Sequence, residues 1–277
     1  MTARMIIRDL HTIEEFRQVV DLERAIWGYS DAADLVTVPV FVFTMKRGGI
    51  LIAAVDEASK MVGFAYSVVG MKDGQPMQWS HMTGVLPEHR GGLGLRLKLE
   101  QRKRAIERGY DLVEWTFDPM QAMNAHFNLF KLGAIVQEYA ENFYGESTSA
   151  LHRGTPTDRI IAHWRIREPH VVRRIEHASP VHLRSHEVSE ARVANTTRLA
   201  GSVREPLSMD LNLDEARVQI EIPTGFTEMQ RQNHELALRW RLDVRELFQT
   251  YLSRGYRAVD FALQREQGFG RYLLAKA

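Results

Sequence analysis

The run Val85-Leu86-Pro87-Glu88-His89-Arg90-Gly91-Gly92-Leu93-Gly94-Leu95 constrains this chain more than any other segment. A strand-like run, Trp79 to Val85, is stopped by Pro87, which cannot donate to a ladder. Glycines follow, and a polar, helix-forming stretch then carries the chain to Gly109. LGLRLKLE alternates with period two, but its continuation through QRKRAIER is too long for a strand, so the spacing predicts a helix. At about 100° per residue, Leu95, Leu99 and Ile106 share one face and Leu93 and Leu97 the opposite one, so both sides are expected to be buried. A strand that ends in glycines and re-enters as a helix suits a phosphate. Glycine lets the backbone approach closely, and the free N–H groups of the first helical turn face the anion. The amides of Leu93, Gly94 and Leu95 form the expected cradle, flanked by Val85, His89, Arg90, Gly91 and Gly92. A glycine-rich turn without a ligand is the alternative. Neither GxxxxGK[ST] nor GxGxxG is present, which separates the segment from nucleotide-hydrolysing and dinucleotide loops.

Around this junction strands and helices are mixed. Met5 to Ile7 reads as a short strand, and Thr12 with Glu15 has the spacing of a capping box opening a helix towards Trp27. An irregular stretch containing Pro39 follows. ILIAAV from Ile50 and MVGFAYSVV from Met61, separated by DEASK, predict a hairpin. DLVEWTFD is a strand with Val113, Trp115 and Phe117 on one face and Glu114, Thr116 and Asp118 on the other. NAHFNLFKLGA is a helix, and IVQEYAENFYG and RIIAHWRI are two further strands. Residues 168–215 carry no assigned element. VQIEIP, a long helix from Thr227 to Arg254, RAVDFAL and RYLLA complete the chain. The expected fold class is mixed α/β, with domains at 1–167 and 168–277.

A short internal echo links the two parts. Arg108-Gly109-Tyr110 before DLVEWTF matches Arg254-Gly255-Tyr256 before RAVDFAL, pairing Val113 with Val259 and Glu114 with Asp260 in the same alternation. The positions matching Gly92 and Gly94 are Leu238 and Trp240, inside a helix. The second part is therefore expected to lack a phosphate loop. Its expected role is to cover apolar surface, wall a substrate pocket or form a homodimer contact.

Composition narrows the chemistry. With no cysteine there is no disulfide, no thiolate nucleophile and no cysteine-ligated metal. The net charge of +1 demands no polyanionic partner, and Arg173, Arg174 and Arg184 lie among acidic residues as on a solvated surface, so no nucleic acid is expected. The histidines, including His163, His170, His177, His182 and His186, show no HExxH or comparable spacing, so no metal is expected. The N-terminus lacks an apolar signal core, and the apolar stretch from Leu35 to Met45 falls short of the ~20 residues a membrane span needs. The expectation is a cytoplasmic protein.

From Met5 to Ile166 the order is strand, V-x-P, arginine and glycines, basic helix, strand, and a helix ending KLGA. This resembles the GCN5-related N-acetyltransferase (GNAT) superfamily, and WTFDP, NAHFN and the overall length resemble its large bacterial amino-acid N-acyltransferase group. The resemblance implies a central mixed, mostly antiparallel sheet flanked by helices, and the internal echo adds the expectation of a smaller GNAT-like half domain behind it. It implies acetyl-CoA or succinyl-CoA as co-substrate and a small-molecule primary amine or amino acid as acceptor. Acyl-CoA would add to the sheet edge where the fourth and fifth strands splay, a fourth-strand amide polarising the thioester. His89 occupies the family's Q/R position if Gly92 and Gly94 take its glycine positions; placing Arg90 there puts Leu93 and Leu95 where glycine or alanine is usual. Ala125, Lys131 and Gly133 match the later helix, with Leu129 where the family has a tyrosine acid, so Tyr139 and Tyr144 become candidates for that acid.

The incoming ammonium must lose a proton. His81, on the strand face of Thr83 and Val85, is the candidate base, since its ordinary pKa of about 6.5 suits neutrality. Arylalkylamine acetyltransferases are similar in placing a histidine there. A hydrogen-bonded core histidine is the alternative. Glu114 is the second candidate, as base or as orienter of His81 through water, against a carboxylate satisfied by neighbouring arginines. Asn124 and Phe127 are candidates to contact pantetheine and adenine. The competing function is a catalytically silent acyl-CoA-binding sensor or scaffold.

Overall fold

The computed structural model describes residues 5–29, 31–145, 154–176, 190–201 and 203–276. By packing, these fall into two compact units, one running to Trp115 and the other taking up the chain from Thr116.

Unit 1 contains β1 (Ile6–Asp9), α1 (Ile13–Trp27), α2 (Val38–Met45), β2 (Ile50–Val55), β3 (Met61–Lys72), β4 (Gln75–Val85), α3 (Leu93–Glu107) and the start of β5 (Leu112–Phe117). The sheet order is β1-β2-β3-β4-β5, antiparallel except for the parallel pair β4/β5. The Thr12–Glu15 capping box is present, with each side chain accepting from the other residue's backbone N–H. The stretch around Pro39 is not irregular. It forms α2, with proline in the first turn, where its missing N–H costs nothing. Asp73 and Gly74, at φ 50° and 75°, make the left-handed two-residue turn that joins β3 to β4, so β4 begins before Trp79.

The helix α3 is buried on one side only. Leu93, Leu97, Lys98, Gln101 and Ala105 are covered, whereas Leu95, Leu99 and Ile106 are half-buried, which corrects the expectation of burial on both faces.

Unit 2 contains a short helix, α4 (Ala122–Ala125), continued by a π-turn over His126–Lys131, then β6 (Ile135–Ala140), β7 (Arg159–Arg165), α5 (Pro169–Glu176), β8 (Arg192–Val193), β9 (Asn195–Ala200), β10 (Val203–Met209), β11 (Arg217–Pro223), α6 (Phe226–Gln232), α7 (His234–Ser253), β12 (Tyr256–Gln264) and β13 (Phe269–Lys276). Its strands run β7-β6-β12-β13-β11-β8, beside a separate β9/β10 hairpin. The stretch 168–215, left unassigned from sequence, thus holds a helix and three strands among its described residues. The predicted long helix is two helices. Asn233, at φ −147° and ψ 84°, breaks the chain and caps α7 by accepting from the Leu236 N–H.

Charge is buried in unit 2. Arg241, fully buried, holds Asp118 through two bonds of 2.6 and 2.7 Å, a bidentate geometry that offsets the desolvation of both ions. Arg174 is not a solvated surface residue either: it pairs with Asp260 at 2.9 Å and donates to the Leu129 and Phe130 carbonyls. Arg184 lies outside the described residues. Among the described residues no single helix is long and apolar enough to cross a membrane.

Candidate functional site

The parallel pairing of β4 with β5 is confined to Gln78↔Val113 and Trp79↔Glu114, while β4 runs on to Val85. The strands fork after that last rung. On its other side β4 stays paired with β3, but the register moves from Val68↔Trp79 to Tyr66↔Met82, two steps along β3 against three along β4. The extra residue is a bulge at Ser80–His81, which bends the strand and re-aims side chains. The strand edge past the fork carries backbone donors and acceptors that an extended, amide-bearing group can pair with.

The bulge changes where His81 points. Ser80 donates to Gln101 of α3 at 3.1 Å, so it faces α3. His81 lies edge-on to Tyr66 at 6.1 Å, and Tyr66 packs on Phe41 of α2 at 4.8 Å and shares a 2.7 Å hydrogen bond with Thr44. His81 therefore faces the α1/α2 side. Gly84 faces that side too, because a Cβ there would lie 2.7 Å from Trp27 of α1. Thr83 and Val85 alternate to the opposite side, so His81 does not share their face, contrary to the simple period of two. The imidazole keeps an exposed surface, and the protein around the rest of the ring lowers its pKa below the ordinary value by desolvation. The shift favours the neutral imidazole, which can accept a proton.

Glu114 sits in the last rung opposite Trp79 and is buried, with Lys72 Nζ at 3.9 Å. It does not lie on an open polar strand face.

The glycine segment follows β4 as a short 3-10 turn, Pro87–His89, with His89 half-buried and Arg90 exposed. Val85 is buried opposite Gly63. Gly91 and Gly92 take φ values of 111° and 103°, which only glycine adopts without strain. Gly92 is the N-cap of α3, no side chain caps the helix, and its first turn holds no acid. The N–H groups of Leu93, Gly94 and Leu95 are thus left to an outside acceptor. A Cβ built at Gly91, Gly92 or Gly94 meets nothing within 4 Å, so the space above the loop is open. Leu93 is buried and anchors the turn, and Leu95 is half-buried. Open donors, a favourable dipole and no competing carboxylate fit a pyrophosphate.

The remaining candidates belong to unit 2. Asn124 is exposed on α4, Phe127 half-buried in the π-turn, and Leu129 fully buried. The Tyr139 hydroxyl donates to Asp158 at 2.6 Å, and burial with that neighbouring charge raises its pKa, which makes it a poor acid. Tyr144 is exposed, its hydroxyl 3.0 Å from Thr116 Oγ1. Among the described residues no three His, Asp or Glu side chains converge as metal ligands, and His177, His182 and His186 lie outside them.

Glu23 escaped notice in the sequence. It lies on the buried face of α1, accepts from the Val36 N–H at 2.9 Å through Oε2, and leaves Oε1 buried without a hydrogen bond. Desolvation raises its pKa to about 7. The available signal was a carboxylate four residues from Val19 and from Trp27, on the apolar stripe.

No family model matches the chain, and no curated protein matches it in sequence. Solved structures similar to it include an acetyltransferase of Acinetobacter baylyi ADP1, described as putative (18% identity, 61% of this chain and 95% of that one, TM-score 0.47). Others are the ribosomal-protein-S18-alanine N-acetyltransferase of Escherichia coli (18%, 59% and 94%, 0.47) and a Salmonella typhimurium protein solved with acetyl-CoA and also described as a putative acetyltransferase (17%, 60% and 96%, 0.47).

Proposed function

We propose that this chain is an acyl-CoA-dependent N-acyltransferase of the GNAT type, moving an acetyl or succinyl group from CoA to the primary amine of an amino acid or related small molecule. The observation that carries this is the conjunction in unit 1 of a forked parallel strand pair with an uncapped, acid-free helix N-terminus on the same strand–loop–helix segment. In this function the α3 amides take the pyrophosphate, and the pantetheine amides pair with the β4 edge past Trp79. His81, neutral at the working pH, accepts one proton from the acceptor ammonium. The freed amine attacks the thioester carbon, the C–S bond breaks, and the thiolate takes a second proton from the nitrogen it leaves behind. No tyrosine is needed at position 129, which fits the burial of Leu129. Glu114 supports His81 from the last rung. We assign residues 1–167 to this domain and 168–277 to a half domain without a phosphate loop.

The test is thiol release from acetyl-CoA and succinyl-CoA with a panel of D- and L-amino acids and simple amines. Amine-dependent release supports the enzyme. CoA binding with no release on any amine would favour the silent sensor or scaffold, and absence of binding would refute both.

A further inference from the structure

Just past the last rung in unit 1, a side chain of α3 bridges the two strands. The last rung joins Trp79 to Glu114, and the next residue on each strand is Ser80 on β4 and Trp115 on β5. Neither continues the ladder. Instead Lys98 of α3 reaches both: its Nζ lies 3.1 Å from Ser80 Oγ and 3.8 Å from the centre of the Trp115 ring. Gln101, one turn on, closes the group, its Oε1 accepting from Lys98 at 2.8 Å and from Ser80 at 3.1 Å. All four residues are buried, Lys98 with 3% of its surface exposed. A long, polar side chain is an expensive way to fill a core. A residue chosen only for packing would be leucine or methionine.

We propose that Lys98 is a positioning residue, a strut that holds β4 and β5 apart at the fork and fixes the Ser80–His81 bulge, so that the donor-binding edge exists before any ligand arrives. The inference rests on the acyltransferase function proposed above, but it concerns a property the protein has without ligand. Three features support it. Ser80 is the first bulge residue, so the bond from Lys98 acts where the strand departs from its register. Trp115 meets Lys98 with its ring face rather than with a backbone group, so the contact that links α3 to β5 adds no rung to the ladder. Burial lowers the Lys98 pKa to about 7, so near neutrality much of the group is uncharged and the buried position is tolerable.

The experiment compares the full-length chain with Lys98→Met, of similar volume, and with Ser80→Ala, which removes only the β4 end of the strut. Amide hydrogen exchange of residues 80–85 is read without ligand, and affinity for acetyl-CoA by calorimetry. The strut predicts that Lys98→Met lets the strands zip further, slowing exchange over 80–85 at least tenfold, and weakens acetyl-CoA binding at least tenfold. Ser80→Ala shifts both in the same direction, less far. In the transfer reaction KM for acetyl-CoA should rise with kcat changed by less than threefold, a split that loss of general stability would not give. Unchanged exchange over 80–85 in a folded Lys98→Met protein overturns the proposal, as does a fall in melting temperature with acetyl-CoA affinity retained. If the wild-type chain binds no acetyl-CoA but exchange slows in Lys98→Met, the strut stands and the acyltransferase function falls.

Discussion

His81 and Glu23 lie on the same side of the unit 1 sheet, and their environments set opposite pKa shifts with separate tests. Desolvation moves His81 below its ordinary value. As the base, it should give the acidic limb of the kcat/KM profile a midpoint below 6.5, and His81→Gln should remove that limb while lowering kcat about 10²-fold or more. A limb unchanged in the variant would transfer the role to another group, with Glu114 the nearest candidate. Glu23 moves up, from 4.5 to about 7. Between those values the folded chain holds a proton that the unfolded chain has released, so stability falls as pH rises through this window, by up to about 3 kcal/mol in all. Glu23→Gln cannot titrate. In urea melts at pH 5 and pH 8 it should show a smaller loss than the wild type, and parallel losses would contradict the assignment. At this scale the sequence named His81 and Glu114 but misplaced both. The face of His81 depends on a bulge that no residue type announces, and the burial of Glu114 depends on tertiary packing that the alternation of its own strand does not record.

The glycine junction, the capping box and the hairpin were legible because each rests on local chemistry that one stretch of chain completes by itself. Elements were misjudged where a single residue overrode a periodic pattern. Pro39 argued against a helix, yet it occupies the one helical turn that tolerates it. The pattern from Thr227 to Arg254 looked continuous because Asn233 is a cap rather than a glycine or proline. Asn233→Ala offers a test by sign: loss of the cap should cost about 1 kcal/mol in thermal melts. In an unbroken helix the same change would be neutral or stabilising. The internal echo is real as a turn, since Gly109 and Gly255 adopt φ of 81° and 84° after residues with nearly equal dihedrals. It does not extend to the strand faces, because β12 shifts register between Ala258 and Asp260 and leaves Val259 half-buried where Val113 is fully buried.

On the scale of the whole chain, the glycine junction and the forked strands lie in unit 1 and have no counterpart among the described residues of unit 2. The residues matching Gly92 and Gly94 in the echo, Leu238 and Trp240, lie within α7, and Trp240 is fully buried, so no second anion cradle exists at those positions. One CoA per chain is therefore expected. The loop is also the feature whose removal perturbs least else. A side chain at Gly94 meets nothing within 4 Å, so Gly94→Asp should fold normally while placing a negative charge where the pyrophosphate would lie. The most direct measurement is calorimetric titration of acetyl-CoA into the wild-type chain and into Gly94→Asp. One equivalent should bind per chain, with an affinity at least tenfold weaker in the variant. Two equivalents, or equal affinity in both proteins, would contradict it.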